Sequence, residues 1–399
     1  MDRYDVVVVG GGPSGLVAAR HASLAGARTL LVEARAEGRD PIPCTGLVSP
    51  RVLALLGASR ATVLREVRAV TLHAPDGGTA TLRSEKVKAL VLDRTRLEVE
   101  LRLLAVSAGV DLLLGTRAVE TRPGWVRLAT ADGGRTVKVG VVIAADGASS
   151  RVAQSFSLPG AERLLTAVQA VVEGKAASAD GVEVFLGRRV APGFFAWVVP
   201  AEEGRLQVGL AAPMGTELPP LLRSVLTRTP GRLVSEVTGF IPIGVAPVTS
   251  GNGIVVVGDA AGQVKPLSGG GIYPGSLCAR IAGETAAEAA LSGDTSAGAL
   301  ATYDRRWQAE MGEELHVGLA AHGALSLLSD NEIDAAVATL AASPTLCGFL
   351  AAEGDIDHPS CLLHPLLERR DLEPALLSLL AVLGGTLPPR DPTTYNPHA

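Results

Sequence analysis

The sequence predicts an α/β fold: a nucleotide-binding domain of strands and helices, interleaved with an antiparallel-sheet substrate domain and followed by a helical C-terminal region. Three observations carry this. A short unbroken apolar run, residues 6–9, leads straight into Gly10-Gly11-Gly12-Pro13-Ser14-Gly15. A second apolar run, 254–257, leads into Gly258-Asp259 and then a glycine triplet, Gly269-Gly270-Gly271. Segments 67–82 and 164–248 alternate apolar and polar residues between Gly and Pro turns, the period of strands with one buried face.

The N-terminal elements follow in order. An apolar run without alternation reads as a parallel strand buried on both faces. Gly10 permits a tight turn, Gly12 lets backbone approach a pyrophosphate, and Gly15 lets the next helix, expected over 15–25, pack close to the strand. The start of that helix offers unpaired N–H groups and the positive end of its dipole to phosphates. A second strand over 28–32 ends at Glu33, whose carboxylate suits the hydroxyls of an adenosine ribose and repels a 2′-phosphate. This is a Rossmann-like start, and by itself it fits FAD or NAD equally.

The second constellation favours FAD. An aspartate at a strand end, Asp259, can meet a ribityl hydroxyl. The Gly269-Gly270-Gly271 triplet, after Pro266 and before a helix expected over 272–291, presents backbone N–H groups to a flat ligand edge. The dipole of that helix favours the negative charge of a reduced flavin. A protein binding only NAD has no use for this second site. Between the two lies a strand over 141–145 followed by Asp146-Gly147, which alone reads as a plain turn.

Taken together, these three motifs resemble the FAD-dependent oxidoreductases of the para-hydroxybenzoate hydroxylase type, and within them the geranylgeranyl reductase family. Two stretches carry the narrower resemblance. Pro43-Cys44-Thr45-Gly46 with Ser49-Pro50-Arg51 is similar to that family's loop beside the isoalloxazine ring. Phe195-Ala196-Trp197-Val198-Val199-Pro200, followed by Gly209, is similar to its substrate-side motif. Phe195, Val199 and Ala211 depart from that motif at a tyrosine, a phenylalanine and a glycine, and the resemblance ends near residue 291. It implies that Ser14, Glu33, Cys44, Thr45, Arg94, Val119, Asp259, Gly271 and Ile272 line FAD. Gly10, Gly12, Pro13, Gly15, Ala34, Arg35, Gly46, Asp146, Gly147, Gly258, Pro266 and Gly270 are read with them as cofactor-binding. Phe195, Trp197, Pro200 and Gly209 are read as substrate-side residues.

The expected domains are discontinuous. Residues 1–60, 88–155 and 251–300 form the FAD-binding domain, 61–87 and 156–250 the substrate sheet domain, and 301–399 the helical region, with breaks at Pro344, Pro359 and Pro365. Gly77-Gly78 marks a hairpin turn. No second GxGxxG occurs, so an external electron donor, NAD(P)H or a ferredoxin-like protein, is expected to reach the flavin.

Composition sets the exclusions. A net charge of −5 without a basic run argues against nucleic acid. Four scattered cysteines, Cys44, Cys278, Cys347 and Cys361, form neither a disulfide framework nor a CxxC pair, and the histidines lack ligand spacing, so no metal is expected. No apolar run reaches the ~18 residues of a membrane span; the apolar piece 376–387 is short and broken by Gly384 and Gly385. The chain reads as cytoplasmic, with peripheral membrane contact allowed.

Cys44 has two readings. A free cysteine is usually a small buried hydrophobe; beside a flavin, its thiol can deliver the proton that completes an alkene reduction. Phe195 and Trp197 share one strand face, which suits either an apolar substrate cavity or ordinary core. The expected function is an FAD-dependent reductase of C=C bonds in an isoprenoid, geranylgeranyl-type or lipid-attached chain. The alternatives are a flavin monooxygenase or halogenase on the same scaffold, and a prenyl-binding carrier without turnover.

Overall fold

The structure is a computed structural model that describes residues 2–36, 42–130, 133–362 and 372; Pro365 and the apolar piece 376–387 lie outside the described residues. Strand β1 (Arg3–Val9) sits at the centre of the first sheet, parallel to β2 (Thr29–Val32) on one side and to Gly133–Ala144 on the other. Asp111–Leu113 extends the parallel set beyond β2, and Ile254–Val256 extends it beyond Gly133–Ala144. The unbroken apolar run in β1 is explained by its position. Val6 and Val8 face a core of helices, whereas Val7 and Val9 face a second core under strands Arg117–Arg122 and Trp125–Thr130.

Helix α1 (Pro13–Leu24) begins at Pro13, two residues before the expected start, because proline needs no hydrogen-bond acceptor in the first turn. It packs against the long Ala-rich helix Ile272–Ser292. Gly283 makes that crossing close: a β-carbon there would lie 2.3 Å from the carbonyl oxygen of Ala18.

The second sheet has seven strands, in the order Gly231–Ile243, Arg163–Gly174, Arg205–Pro213, Ala196–Pro200, Gly181–Phe185, Ala69–His73 and Thr79–Arg83. It is antiparallel except at one junction, where Gly181–Phe185 pairs in parallel with Ala69–His73. The chain between those two strands runs through the nucleotide-binding sheet, which supplies the long crossover that a parallel pair needs. The turn at Gly77-Gly78 closes the last hairpin, with Gly77 at φ +95°.

A three-stranded sheet, Leu47–Val48, Ala89–Leu92 and Val63–Val67, joins the two layers. Beyond residue 296 the described chain is helical: Ala297–Trp307, Glu313–Leu327, Asp330–Ala341 and Pro344–Glu353, with Pro344 in the first turn of the last. Among the described residues no single helix is long and apolar enough to cross a membrane.

A candidate flavin and substrate site

A cavity of about 820 Å³ lies between the glycine-rich end of the first sheet and one face of the second. The sequence motifs meet there from five separate stretches of chain. Gly12, Pro13 and Ser14 come from the turn into α1, Cys44, Thr45 and Gly46 from the loop after β2, and Arg94 from the start of helix Arg94–Ser107. Asp259, Gly270, Gly271 and Ile272 come from the second glycine site, and Phe195 and Trp197 from the second sheet. Arg35 and Gly147 also line it.

At the first turn, Gly10 has φ +111°, and a β-carbon on it would lie 2.2 Å from the carbonyl oxygen of Ala145. One on Gly15 would lie 1.9 Å from the carbonyl oxygen of Gly10. Gly12 is different, since a β-carbon there would meet nothing within 4 Å. The first turn of α1 has no side-chain cap. Glu33 is buried behind this turn and accepts the N–H groups of Gly11 at 2.6 Å and Arg35 at 2.7 Å, which fixes the turn; Ala34 between them is exposed.

Cys44 and Arg94 are brought together by local geometry. The Leu92 N–H donates to the Gly46 carbonyl at 2.9 Å, and Gly46, at φ +69°, passes so close to Leu92 that any β-carbon would collide with that residue's carbonyl. Asp93 caps the next helix by accepting the Arg96 N–H. Arg94 then projects inward and pairs with buried Glu98 at 3.1 Å, which also meets Arg102 at 3.4 Å and Arg35 at 3.8 Å. Burial works against the Arg94 charge, but Cys44, Glu98 and Asp259 around it more than offset that and hold its guanidinium above the ordinary range. Thr45 donates to Gln169 of the second sheet at 2.9 Å.

Asp259 faces the cavity, and burial raises its carboxyl to about 6 against the pull of Arg94. A buried chain holds its turn: Gly258 N–H donates to Gln263, Gln263 to the Tyr303 hydroxyl, and Tyr303 to the Val256 carbonyl. Gly258 gives way to Ser14, whose hydroxyl would sit 2.5 Å from a β-carbon there. Pro266 is packed beneath against Gly318.

Other expected site residues stand outside the cavity lining. Both Asp146 oxygens are taken locally, one by the Ser150 hydroxyl at 2.5 Å and the other by the N–H groups of Arg151 and Val152, so its carboxylate shapes the turn that presents Gly147. Val119 is 51% exposed on its strand and is not part of the cavity wall. Pro200 is buried at a strand end. Gly209 pairs with Trp197 across the sheet, and its missing side chain makes room for the indole. Phe195 and Trp197 meet edge to face at 5.9 Å, and both line the cavity.

The model of the pyridine nucleotide-disulphide oxidoreductase family matches residues 4–191. A digeranylgeranylglycerophospholipid reductase 2 of Methanothermobacter thermautotrophicus is 35% identical over 353 residues, which cover 85% of this chain and 92% of that protein. A namesake of Methanopyrus kandleri is 35% identical over 355 residues, covering 83% and 89%. This chain belongs to the digeranylgeranylglycerophospholipid reductase family. Among solved structures, a geranylgeranyl bacteriochlorophyll reductase-like protein of Thermoplasma acidophilum superposes with a TM-score of 0.80 at 26% identity, covering 94% of this chain and all of that one. A p-nitrophenol 4-monooxygenase of Pseudomonas putida, with a TM-score of 0.69 at 18% identity over 94% of this chain and 99% of its own, shares the fold.

The family member is an FAD-dependent oxidoreductase, and its cavity suits that cofactor. The open flank of Gly12 leaves space for a ligand against bare backbone, and helix Ile272–Ser292, like α1, starts without a side-chain cap. The Arg94 Nε is buried without a hydrogen-bond partner, a donor waiting for an acceptor.

Several site residues were not anticipated from the sequence. Glu98 stands four residues from both Arg94 and Arg102, a helical charge spacing that was there to be read. Gln169, Gln263 and Tyr303 had no local signal. Neither had the C-terminal wall, where Leu350, Ala351, Gly354 and Ile356 line the cavity and buried Lys265 pairs with Asp357 at 2.7 Å.

Proposed function

We propose that this chain saturates C=C bonds in the isoprenoid chain of a lipid, with Cys44 as proton donor and an external electron donor reducing the cofactor. The observation that carries the reading is the continuity of the cavity. One space is lined by the Gly12 turn, by Asp259 and Gly271, by Cys44, and by the apolar side chains of Trp197, Val199, Val182 and Ile241. A cofactor at the glycines and a prenyl chain on the apolar wall would therefore meet beside Cys44.

The proposed cofactor contacts are the backbone of Gly12, Pro13 and Ser14 for phosphates, Glu33 and Arg35 for the adenosine side, and Asp259, Gly270, Gly271 and Ile272 for the flavin side. Bound and reduced, FAD would supply the hydride for one alkene carbon. The Cys44 thiol gives its proton to the other, so the π bond is replaced by two C–H bonds. The thiolate left behind faces the Arg94 guanidinium, the nearby charge best placed to stabilise it, until solvent restores the proton. Gln169 holds Thr45, and with it the loop that presents Cys44.

The test is Cys44→Ser. Saturation of a prenyl lipid should slow by about tenfold or more, the lower range of a lost general acid, while reduction of bound FAD by dithionite keeps its rate. Equal rates of saturation in parent and variant would remove Cys44 from the chemistry. A lipid with long prenyl chains resides in a membrane, so peripheral contact with a bilayer belongs to this reading.

A further inference from the structure

We propose that Arg68, Ser84 and Lys88 form a subsite for the phosphate oxygens of an anionic prenyl lipid. The inference rests on the prenyl-lipid reading above and adds where the charged part of that lipid is held. All three residues line the cavity that also contains Cys44 and Asp259. Chain connectivity clusters them: the Ser84 N–H donates to the Arg68 carbonyl at 2.8 Å, and the Lys88 N–H donates to the Val67 carbonyl at 2.9 Å.

Charge is unbalanced there. Glu66 is shared by two guanidiniums, Arg60 at 2.5 Å and Arg68 at 3.0 Å. Among the described residues Lys88 has no carboxylate partner. Its Nζ donates to the Ala352 carbonyl at 2.6 Å and the Gly354 carbonyl at 3.1 Å, at the end of helix Pro344–Glu353, so one of three protons is left over. The Ser84 oxygen accepts the Lys86 N–H at 3.1 Å and keeps its own proton to donate. Two of the neighbouring acids are engaged elsewhere: Asp180 with Arg83, and Glu183, which shares the cavity wall, with His73 at 2.9 Å.

Capping a helix end explains where Lys88 packs, but not why a half-buried arginine and an unneutralised ammonium share a wall with Val70, Leu82 and Val182. The apolar surface suits an apolar partner, and the charged heads that Arg68 and Lys88 hold beside it suit an anion. An amphiphile meets both demands, its tail on the valines and its phosphate on the cations. Arg68 offers a planar fork to two phosphate oxygens and Lys88 a point charge.

The test uses the FAD-loaded protein and reads the shift in flavin absorbance on titration, which needs no turnover. The ligands are a di(geranylgeranyl)glyceryl phosphate, the matching neutral diprenylglycerol, and geranylgeranyl diphosphate. At low salt the glyceryl phosphate should bind about tenfold tighter than its neutral counterpart, and that preference should shrink as salt rises. Arg68→Met and Lys88→Met should each reduce the preference several-fold, with Arg68→Lys keeping part of it. A preference shared by the diphosphate identifies the phosphate of an unattached prenyl chain as ligand; one confined to the glyceryl phosphate identifies a lipid headgroup. No preference in the parent protein, or one that survives in both methionine variants, overturns the proposal. If the preference holds but none of the three ligands is saturated on reduction, the reductase reading fails and this subsite stands.

Discussion

At Gly12 a β-carbon would stand in open space, whereas at Gly10 it would run into the Ala145 carbonyl. The two glycines therefore separate folding from binding. Gly10→Ala should lose roughly 2 kcal/mol or more in urea unfolding, because the strand end and the turn cannot both keep their places. Gly12→Val should unfold near the parent midpoint yet hold FAD at least about tenfold more weakly, as read by flavin fluorescence. Asp259 gives a pH test on cofactor-free protein. Its carboxyl titrates near 3.8 when free and at about 6 in the fold. Well below the free value of 3.8 it is protonated in both states and contributes no difference. As pH rises the unfolded chain ionises first, so the folded state loses stability up to the folded pKa and carries a penalty of at most about 3 kcal/mol above it. Urea unfolding of Asp259→Asn should accordingly show a more stable protein than the parent above pH 6, with the gap closing towards pH 4. A constant difference across that range would mean that Asp259 does not titrate as its surroundings imply.

Among the elements, what could be read in advance was local. The strand–glycine–helix–strand start, the Gly258-Asp259 site and the Asp93-Arg94 helix start all announce themselves in short windows, because turn geometry and apolar period are properties of neighbouring residues. The parallel junction between Gly181–Phe185 and Ala69–His73 has no such window; it is decided by which strands meet after the chain has crossed the other sheet. Val119 lies on the strand expected after Asp111, with its side chain turned to solvent. The chain from Gly258 through Gln263 and Tyr303 to Val256 joins helix Ala297–Trp307 to the second glycine site, and no spacing in the sequence links those residues. It is testable as a unit. Tyr303→Phe leaves the Gln263 amide and the Val256 carbonyl unpaired in a closed core, so urea unfolding should show a loss of about 1–3 kcal/mol. Bound FAD should weaken in parallel, because the Gly258-Asp259 turn loses its support.

For the whole molecule, the cavity is a product of interleaving. The glycines come from turns far apart in sequence at one end of the nucleotide-binding sheet, Cys44 and Arg94 from segments joined by the small three-stranded sheet, and the apolar wall from the seven-stranded sheet. The last wall comes from residues 350–362, beyond the reach of the family resemblance in the sequence, and ion pairs pin it, Lys265–Asp357 and Arg51–Asp355 among them. Such a cavity has room to bring one reductive cofactor against one apolar chain. The direct test is anaerobic. FAD-loaded protein is reduced with one equivalent of dithionite, mixed with a lipid bearing geranylgeranyl chains, and followed by the return of oxidised flavin absorbance and by the mass of the lipid. The expected result is reoxidation without oxygen, matched by a lipid heavier by two hydrogens per flavin. Flavin that stays reduced beside the lipid, and reoxidises only when oxygen enters with a hydroxylated product, would contradict it.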